Sequence, residues 1–326
     1  MSINSINVPT GKVCVIDGEF GKLEFVSIGD YGKEANVKAD FLGLTRDIDG
    51  VPNGKVMPLS EKWVVTISSQ YGCSMKCNFC DVPLVGTGRN ATLNDLRSQL
   101  SAAITLNPET KKTKRLNIHY ARMGEPTFNE NVIFDAWNLR LTIKKSGLEC
   151  DTIHPVVSTM MPKHNCMLGQ FLFDWCDIKN EEFDGDAGLQ LSINSTDEEY
   201  RRWLFSGNAL SLVAISNMCQ LLPMPKGRKY CLNFAITNDT IIDANVLKRY
   251  FDTDKFMCKI TPVHNTKTSE ANGIKTVGGY ESFAPYKVHE EALKEAGFDV
   301  IVFIPSLDEE MGMITCGNAL LSNKNK

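Results

Sequence analysis

Trp63-Val64-Val65-Thr66-Ile67-Ser68-Ser69-Gln70-Tyr71-Gly72-Cys73-Ser74-Met75-Lys76-Cys77-Asn78-Phe79-Cys80 decides the reading of this chain. The opening residues are apolar and β-branched, as in a strand. The strand runs directly into Cys-x3-Cys-x2-Cys. Three thiolates converging from one loop suit a metal centre with one ligand position left open. A four-iron cluster on three cysteines keeps one iron free of protein, where a substrate or cosubstrate binds. A structural zinc site is the competing reading. Such sites are normally closed by a fourth ligand and often show a second Cys-x2-Cys pair. No second pair occurs, although His119 or another cysteine remains available to complete one. Disulfides fit poorly. Eleven cysteines is an odd number, and no secretory signal is read, so a reducing compartment is expected.

Outward from that stretch, the pattern alternates strands with helices. Strands are expected over 115–120, 153–158, 188–193, 230–236, 256–261 and 299–304. Helices are expected near 129–145, 163–177, 196–222, 242–251 and 285–296. Before residue 60 the pattern is different. Lys22-Leu23-Glu24-Phe25-Val26-Ser27-Ile28 alternates at the strand period, and 47–54 is rich in turn residues. The expected fold class is α/β: a partial (β/α)6 barrel over 61–304, a small β-rich attachment over 1–60 and a tail over 305–326. Chemistry in such folds sits at the carboxyl ends of the strands. Gly124-Glu125-Pro126, Ser158-Thr159, Ser192-Ile193-Asn194 and His264-Asn265 all fall at such ends.

At 326 residues, with 43% hydrophobic and 23% charged, the composition is that of an ordinary globular protein. No apolar run approaches a membrane span, so a cytoplasmic protein without membrane contact is expected. The formal net charge of −4 does not advertise nucleic-acid binding. Two short basic clusters, Lys111 to Arg115 and Lys226 with Arg228 and Lys229, read as solvated loops.

Ser68-Ser69-Gln70-Tyr71-Gly72-Cys73 with Cys77 and Cys80, then Arg89-Asn90, Met123-Gly124-Glu125-Pro126 and a late Cys316-Gly317 occur in one order. In this the chain resembles the radical S-adenosylmethionine (SAM) methyltransferases of the RlmN/Cfr type, from about residue 22 to about 320. These methylate an adenine carbon in ribosomal or transfer RNA. The resemblance implies a radical SAM barrel carrying a [4Fe–4S] cluster on Cys73, Cys77 and Cys80. It implies SAM contacts from Gly124, Glu125, Ser158, Ser192, Asn194 and Asn265. Cys316 matches the cysteine that carries the methyl group. An RNA substrate and an electron donor such as flavodoxin or ferredoxin are implied as partners; the oligomeric state is not.

The chain also departs from that pattern. Thr66 stands where the family has a second cysteine, whose thiolate releases the product. Asn53 or a neighbour stands where the family has a glutamate base; Lys38 or Asp40 take that place under another alignment. Asn194 replaces a histidine, Met160 replaces a serine, and His264 competes with Asn265 for one position. The β-rich part begins almost at once, so a counterpart of the family's N-terminal helical RNA-binding domain is not expected. Cys14, Cys150, Cys166, Cys176, Cys219, Cys231 and Cys258, with His119, His154 and His289, read as structural residues. Gly86-Thr87-Gly88 is too short for a phosphate loop.

Overall fold

Three antiparallel strands begin the fold: β1 (Ile3–Val8), β2 (Gly11–Gly18) and β3 (Gly21–Ile28). The computed structural model describes residues 2–45, 55–277, 282–305 and 318–323. A short helix α1 (Lys33–Asn36) leads to β4 (Val37–Lys38). Next come β5 (Trp63–Ile67), β6 (Gln70–Gly72), β7 (Thr87–Asn90), α2 (Leu93–Thr105) and β8 (Lys112–Tyr120). Helices α3 (Asn131–Trp137) and α4 (Leu139–Ser146) precede β9 (Glu149–Thr159); α5 (Leu168–Asp177) precedes β10 (Gly188–Ser192). Helices α6 (Glu198–Leu204) and α7 (Leu212–Leu221) precede β11 (Tyr230–Ile236); α8 (Ala244–Tyr250) precedes β12 (Phe256–Pro262). The series ends with α9 (Lys267–Ala271), α10 (Ala284–Glu295), β13 (Val300–Phe303) and α11 (Asn318–Asn323).

Strands β5, β8, β9, β10, β11, β12 and β13 pair in that order, all parallel, joined by helical crossovers. Pairing does not run full circle, so the barrel is partial, as the alternation of elements implied. The sheet curls. His119 on β8 and Lys259 on β12 are separated by three strands, yet the Lys259 ammonium lies close enough to act on the His119 imidazole. Both therefore lie on the concave face. Parallel partners share a face, so the register carries the concave side along the sheet. Thr66 pairs with His119, Ser158 with Gln190, and Asn233 with Lys259. The interior is polar. The convex side buries Leu96, Leu100, Leu139, Leu172 and Ile215 of the crossover helices.

The N-terminal segment meets both edges of the parallel array. Strand β3 pairs antiparallel with β5, and β4 pairs antiparallel with β13. The chain between them crosses the open side. It is fixed there by Met57 N–H to Asp30 O at 2.7 Å and Ile304 N–H to Asn36 O at 2.9 Å.

Local expectations need amendment. The β-rich attachment opens with a strand already at Ile3. The helix expected over 129–145 is two helices broken at Asn138, and 196–222 likewise holds two. The alternation of β3 suggested one wet face, but Leu23 to Ile28 are all buried. Its second face is covered, in part by α2 and α11.

Candidate functional site

The cysteine loop leaves the carboxyl end of β5 and is closed by the β6–β7 hairpin, which pairs Gln70 with Asn90 and Tyr71 with Arg89. Glycine permits this closure. Gly72 has φ +79°, and a Cβ there would stand 2.0 Å from the carbonyl oxygen of Gly86. A Cβ on Gly88 would meet the Ser74 nitrogen at 2.8 Å. The glycines around Thr87 thus let the two arms touch, a role that the sequence reading missed. Tyr71 anchors the hairpin outside: its hydroxyl donates to Asp95 at 2.8 Å, and Asp95 also completes the capping box of α2 with Thr92.

The far side of the loop is pinned by the segment after α6. Asn208 donates to Met75 O at 2.8 Å, Ser206 to Lys76 O at 2.5 Å and Asn78 to Trp203 O at 2.8 Å. Buried Asp81 accepts from the Thr268 backbone and hydroxyl, at 2.8 and 2.6 Å. Thr266 donates to Phe79 O at 2.8 Å, bringing the 264–268 segment against the loop.

Cys77 is buried, while Cys73 and Cys80 are half-buried. Burial, then the neighbouring Cys80, Cys73 and Glu125, push the Cys77 thiol well above its ordinary value. No cation stands among the strongest influences on it. Like-charged ligands crowding one point without a lysine or arginine fit a bound metal cluster, which would supply the missing positive charge. Among the described residues no three candidate ligand side chains already stand in metal-bonding geometry.

Glu125 is almost wholly buried. Its backbone N–H donates to Gln70 Oε1 at 2.8 Å, and Gln70 Nε2 donates to Asn90 Oδ1 at 2.8 Å. Gly124 permits this approach: φ is +98°, and a Cβ would meet Gln70 Cβ at 2.5 Å. The carboxylate accepts from the Thr127 hydroxyl at 2.7 Å and from the Met160 N–H at 2.8 Å. Burial raises its pKa against these hydrogen bonds. Met160 lacks the hydroxyl of the family's serine, but its backbone holds Glu125.

The remaining residues divide. Ser158 donates to Gln190 Oε1 at 3.3 Å on the concave face. Ser192 ends β10, opposite Asn233. Asn194 takes φ +60°, and its Oδ1 accepts from the Ala235 N–H at 3.1 Å. It thereby braces β10 on β11. Asn265 is exposed beside half-buried His264, next to the pinned loop. His119 does not join the cysteines. It faces Thr66 in the register, and burial, His154 and the Lys259, Lys62 and Arg228 cations hold it near 3. Lys38 and Asp40 lie toward the β13 edge, where they pair with Glu290 and Lys294, away from the loop. Asn53 and Cys316 lie outside the described residues.

Sequence reasoning also missed Glu24. It is fully buried on β3 and pairs with buried Arg122 Nε at 2.8 Å. Its backbone carbonyl accepts from the Ser68 hydroxyl at 2.5 Å, just before the hairpin. The Leu320 N–H donates to Glu24 Oε2 at 3.1 Å. The first turn of α11 is therefore docked on β2 and β3, beside the β6–β7 hairpin. Its signal was a carboxylate within a strand of otherwise core residues. Breaking a buried pair leaves an uncompensated charge, at about 3–5 kcal/mol. Glu24→Ala is accordingly expected to lower the urea midpoint strongly and to increase proteolysis of the tail; an unchanged midpoint would show that the pair is dispensable.

No family model matches the chain. It is 25% identical to the dual-specificity RNA methyltransferase RlmN of Desulfotalea psychrophila over 76% of this chain and 65% of that protein. It is 27% identical to the RlmN of Geobacter sulfurreducens, over 60% of this chain and 49% of that one. The chain thus spans about half to two thirds of the length of these curated relatives. A radical SAM methyltransferase structure from Sphaerobacter thermophilus shares the fold, with TM-score 0.62 and 17% identity, over 97% of this chain and 80% of that one. In sequence the chain is thus similar to RlmN-type RNA methyltransferases, and in its partial parallel barrel it shares the fold of a radical SAM methyltransferase.

Proposed function

We propose that the chain is a radical SAM methyltransferase that modifies an adenine carbon in ribosomal or transfer RNA through Cys316. One observation carries this reading. Cys73 and Cys80 of the same loop and the buried carboxylate of Glu125 lie close enough to Cys77 to act on its thiol, at the carboxyl ends of the parallel strands. Cys73, Cys77 and Cys80 would hold a [4Fe–4S] cluster; with SAM at its open iron, that group supplies one electron and a 5′-deoxyadenosyl radical. Glu125, facing the thiols, would take the SAM ammonium as a charge-assisted partner. Gly124 lets the backbone approach closely, and Ser158, Ser192, Asn194 and Asn265 would line the rest of the cosubstrate site.

An adenine ring carbon in an amidine position is electrophilic, so transfer of a methyl cation to it fails. A methyl carried on the Cys316 sulfur would meet that need: on losing a hydrogen atom to the deoxyadenosyl radical, which leaves as 5′-deoxyadenosine, its carbon would add to the ring as a radical. Glu24, itself paired with Arg122, holds the helix that follows Cys316 on β3, beside the β6–β7 hairpin. An electron donor of flavodoxin or ferredoxin type is part of the proposal, and a cytoplasmic setting suits an oxygen-sensitive cluster. Among the described residues, no helix is long and apolar enough to cross a membrane.

A second reading, an enzyme of this fold with another substrate, is favoured by Thr66. Its hydroxyl cannot form the disulfide that would release a cysteine-bound product. Zinc content, with no SAM cleavage, would instead point to a non-catalytic metal-binding relative.

Glu125→Gln tests the cosubstrate assignment. It is expected to weaken SAM binding about tenfold, the scale of losing a charge-assisted hydrogen bond, with iron content retained. Calorimetric titration of SAM into the anaerobic protein reads this. Equal affinity in the two proteins would put Glu125 outside the SAM site.

A further inference from the structure

A cavity of about 500 Å³ opens at the amino ends of the parallel strands, the opposite mouth of the partial barrel from the cysteine loop. Its wall carries Lys33, Arg115, Arg228 and Lys229, with Phe41 and Leu42 on one side. Lys259 stands above its floor, two residues along β12 from the lining residue Met257. Asp184, Asp186 and Asp299 share the wall with its four cations and balance them incompletely. Arg115 is 3.4 Å from Asp186, and Lys229 is 2.7 Å from Asp299. Among the described residues neither Lys33, Arg228 nor Lys259 has a carboxylate within ion-pair distance. Arg228 instead donates to His154 Nε2 at 2.7 Å, which makes that nitrogen an acceptor. His154 Nδ1 faces Asp186 at 3.4 Å, so a neutral imidazole holds the guanidinium in place.

The field is positive from several directions. Burial, then Arg115, Arg228 and Lys62, lower the Lys33 ammonium. Burial, with Arg228 and Lys62 against Cys231, lowers Lys259. Burial also holds His154 near 4, with Arg228 and Arg115 opposing Asp186. Arg228 is enclosed by protein on most sides, yet its side chain remains open to the water of the cavity. Crowded cations in a concave, partly desolvated site are stabilised by an anion. The two-sided wall narrows the choice: a planar guanidinium and an ammonium suit a phosphate, and Phe41 and Leu42, each nearly half exposed, suit an apolar or ring portion beside it.

We propose that this mouth of the barrel is a binding site for a small organic phosphate of about nucleoside-monophosphate size, held by Arg228, Lys33 and Arg115. The site is separate from the cysteine loop and does not depend on the proposed methyl transfer.

Titration calorimetry on the full chain, with uridine 5′-monophosphate, uridine and inorganic phosphate as probes, tests it. The monophosphate and inorganic phosphate are expected to bind, and uridine to bind at least about tenfold more weakly than the monophosphate. Lys33→Met should weaken the monophosphate about tenfold. Lys33 is exposed, so this variant is expected to fold even if Arg228→Met does not. Cys77→Ala should bind the monophosphate as the parent does, and SAM should not compete with it. Equal binding of nucleoside and nucleotide, unchanged affinity in Lys33→Met, or displacement by SAM would each overturn the proposal.

Discussion

Cys77→Ala, reconstituted anaerobically with iron and sulfide, is expected to hold almost none of the about four irons that a cluster on three thiolates requires. It should also produce no 5′-deoxyadenosine from SAM. Cys77 is the deepest of the three thiols and the one on which both others act. An alanine removes a ligand but little volume, and the loop has its own fastenings through Asn208, Ser206 and Asp81. The fold should therefore survive, and far-ultraviolet circular dichroism of the variant should match the parent. That combination separates loss of a ligand from loss of structure. Full iron loading in the variant, or zinc at one per chain in the parent with no iron bound, would remove the radical reading.

Cys316→Ala is expected to abolish methyl transfer while leaving abortive SAM cleavage in place, because the cluster ligands lie on a different segment. In the parent expressed with SAM, peptide mass spectrometry should find Cys316 carrying a methyl group. Thr66 bears on the next step. A disulfide that frees the product needs an attacking thiolate with access, and a threonine has none. In the parent an enzyme-bound adduct is accordingly expected to persist, unless another thiol reaches the site. Thr66→Cys should accelerate product release. Thr66 lies on the concave face opposite His119, at the strand end that leads into the cysteine loop, so the new thiol would sit near the cluster loop. Unmodified Cys316 in the parent, with methylation retained in Cys316→Ala, would overturn its role.

The parallel barrel was legible because each buried strand is a short apolar run and each crossover helix has its own periodicity. The cluster loop was legible because thiolate chemistry restricts spacing. What was hidden depended on contacts far apart in sequence. Nothing in Lys38 announces that it edges β13, since a two-residue strand has no period. Glu24 looked like one more polar position in an alternating strand. Only its partners, Arg122 and the Leu320 N–H, show why a carboxylate is tolerated in a buried sheet. Gly86 and Gly88 looked like loop filler, and their reason is the close approach of Gly72 and Ser74. Asn194 was read as a weakened stand-in for histidine. Its left-handed backbone and its bond to Ala235 give it a structural task as well.

The basic clusters illustrate how local sequence can mislead. Lys112 and Lys114 form solvated surface ion pairs with Asp151 and Glu61, but from the start of β8 rather than from a loop. Arg228 and Lys229 come from an equally ordinary run, yet the start of β11 turns them into a cavity wall beside Arg115. Charge along the chain gave no sign of that convergence, because Arg115 is more than a hundred residues away.

The central claim is tested most directly by nucleoside mass spectrometry. Ribosomal and transfer RNA would be incubated anaerobically with the reconstituted protein, SAM labelled on the methyl group, and a reductant. The expected result is labelled C-methyladenosine in one RNA with Thr66→Cys, and in the parent label held in the enzyme-bound adduct or, where another thiol releases it, in C-methyladenosine; both are absent with Cys77→Ala and Cys316→Ala, and 5′-deoxyadenosine forms alongside in the parent. Formation of 5′-deoxyadenosine with no label in any adenosine of either RNA, in both the parent and Thr66→Cys, would contradict it.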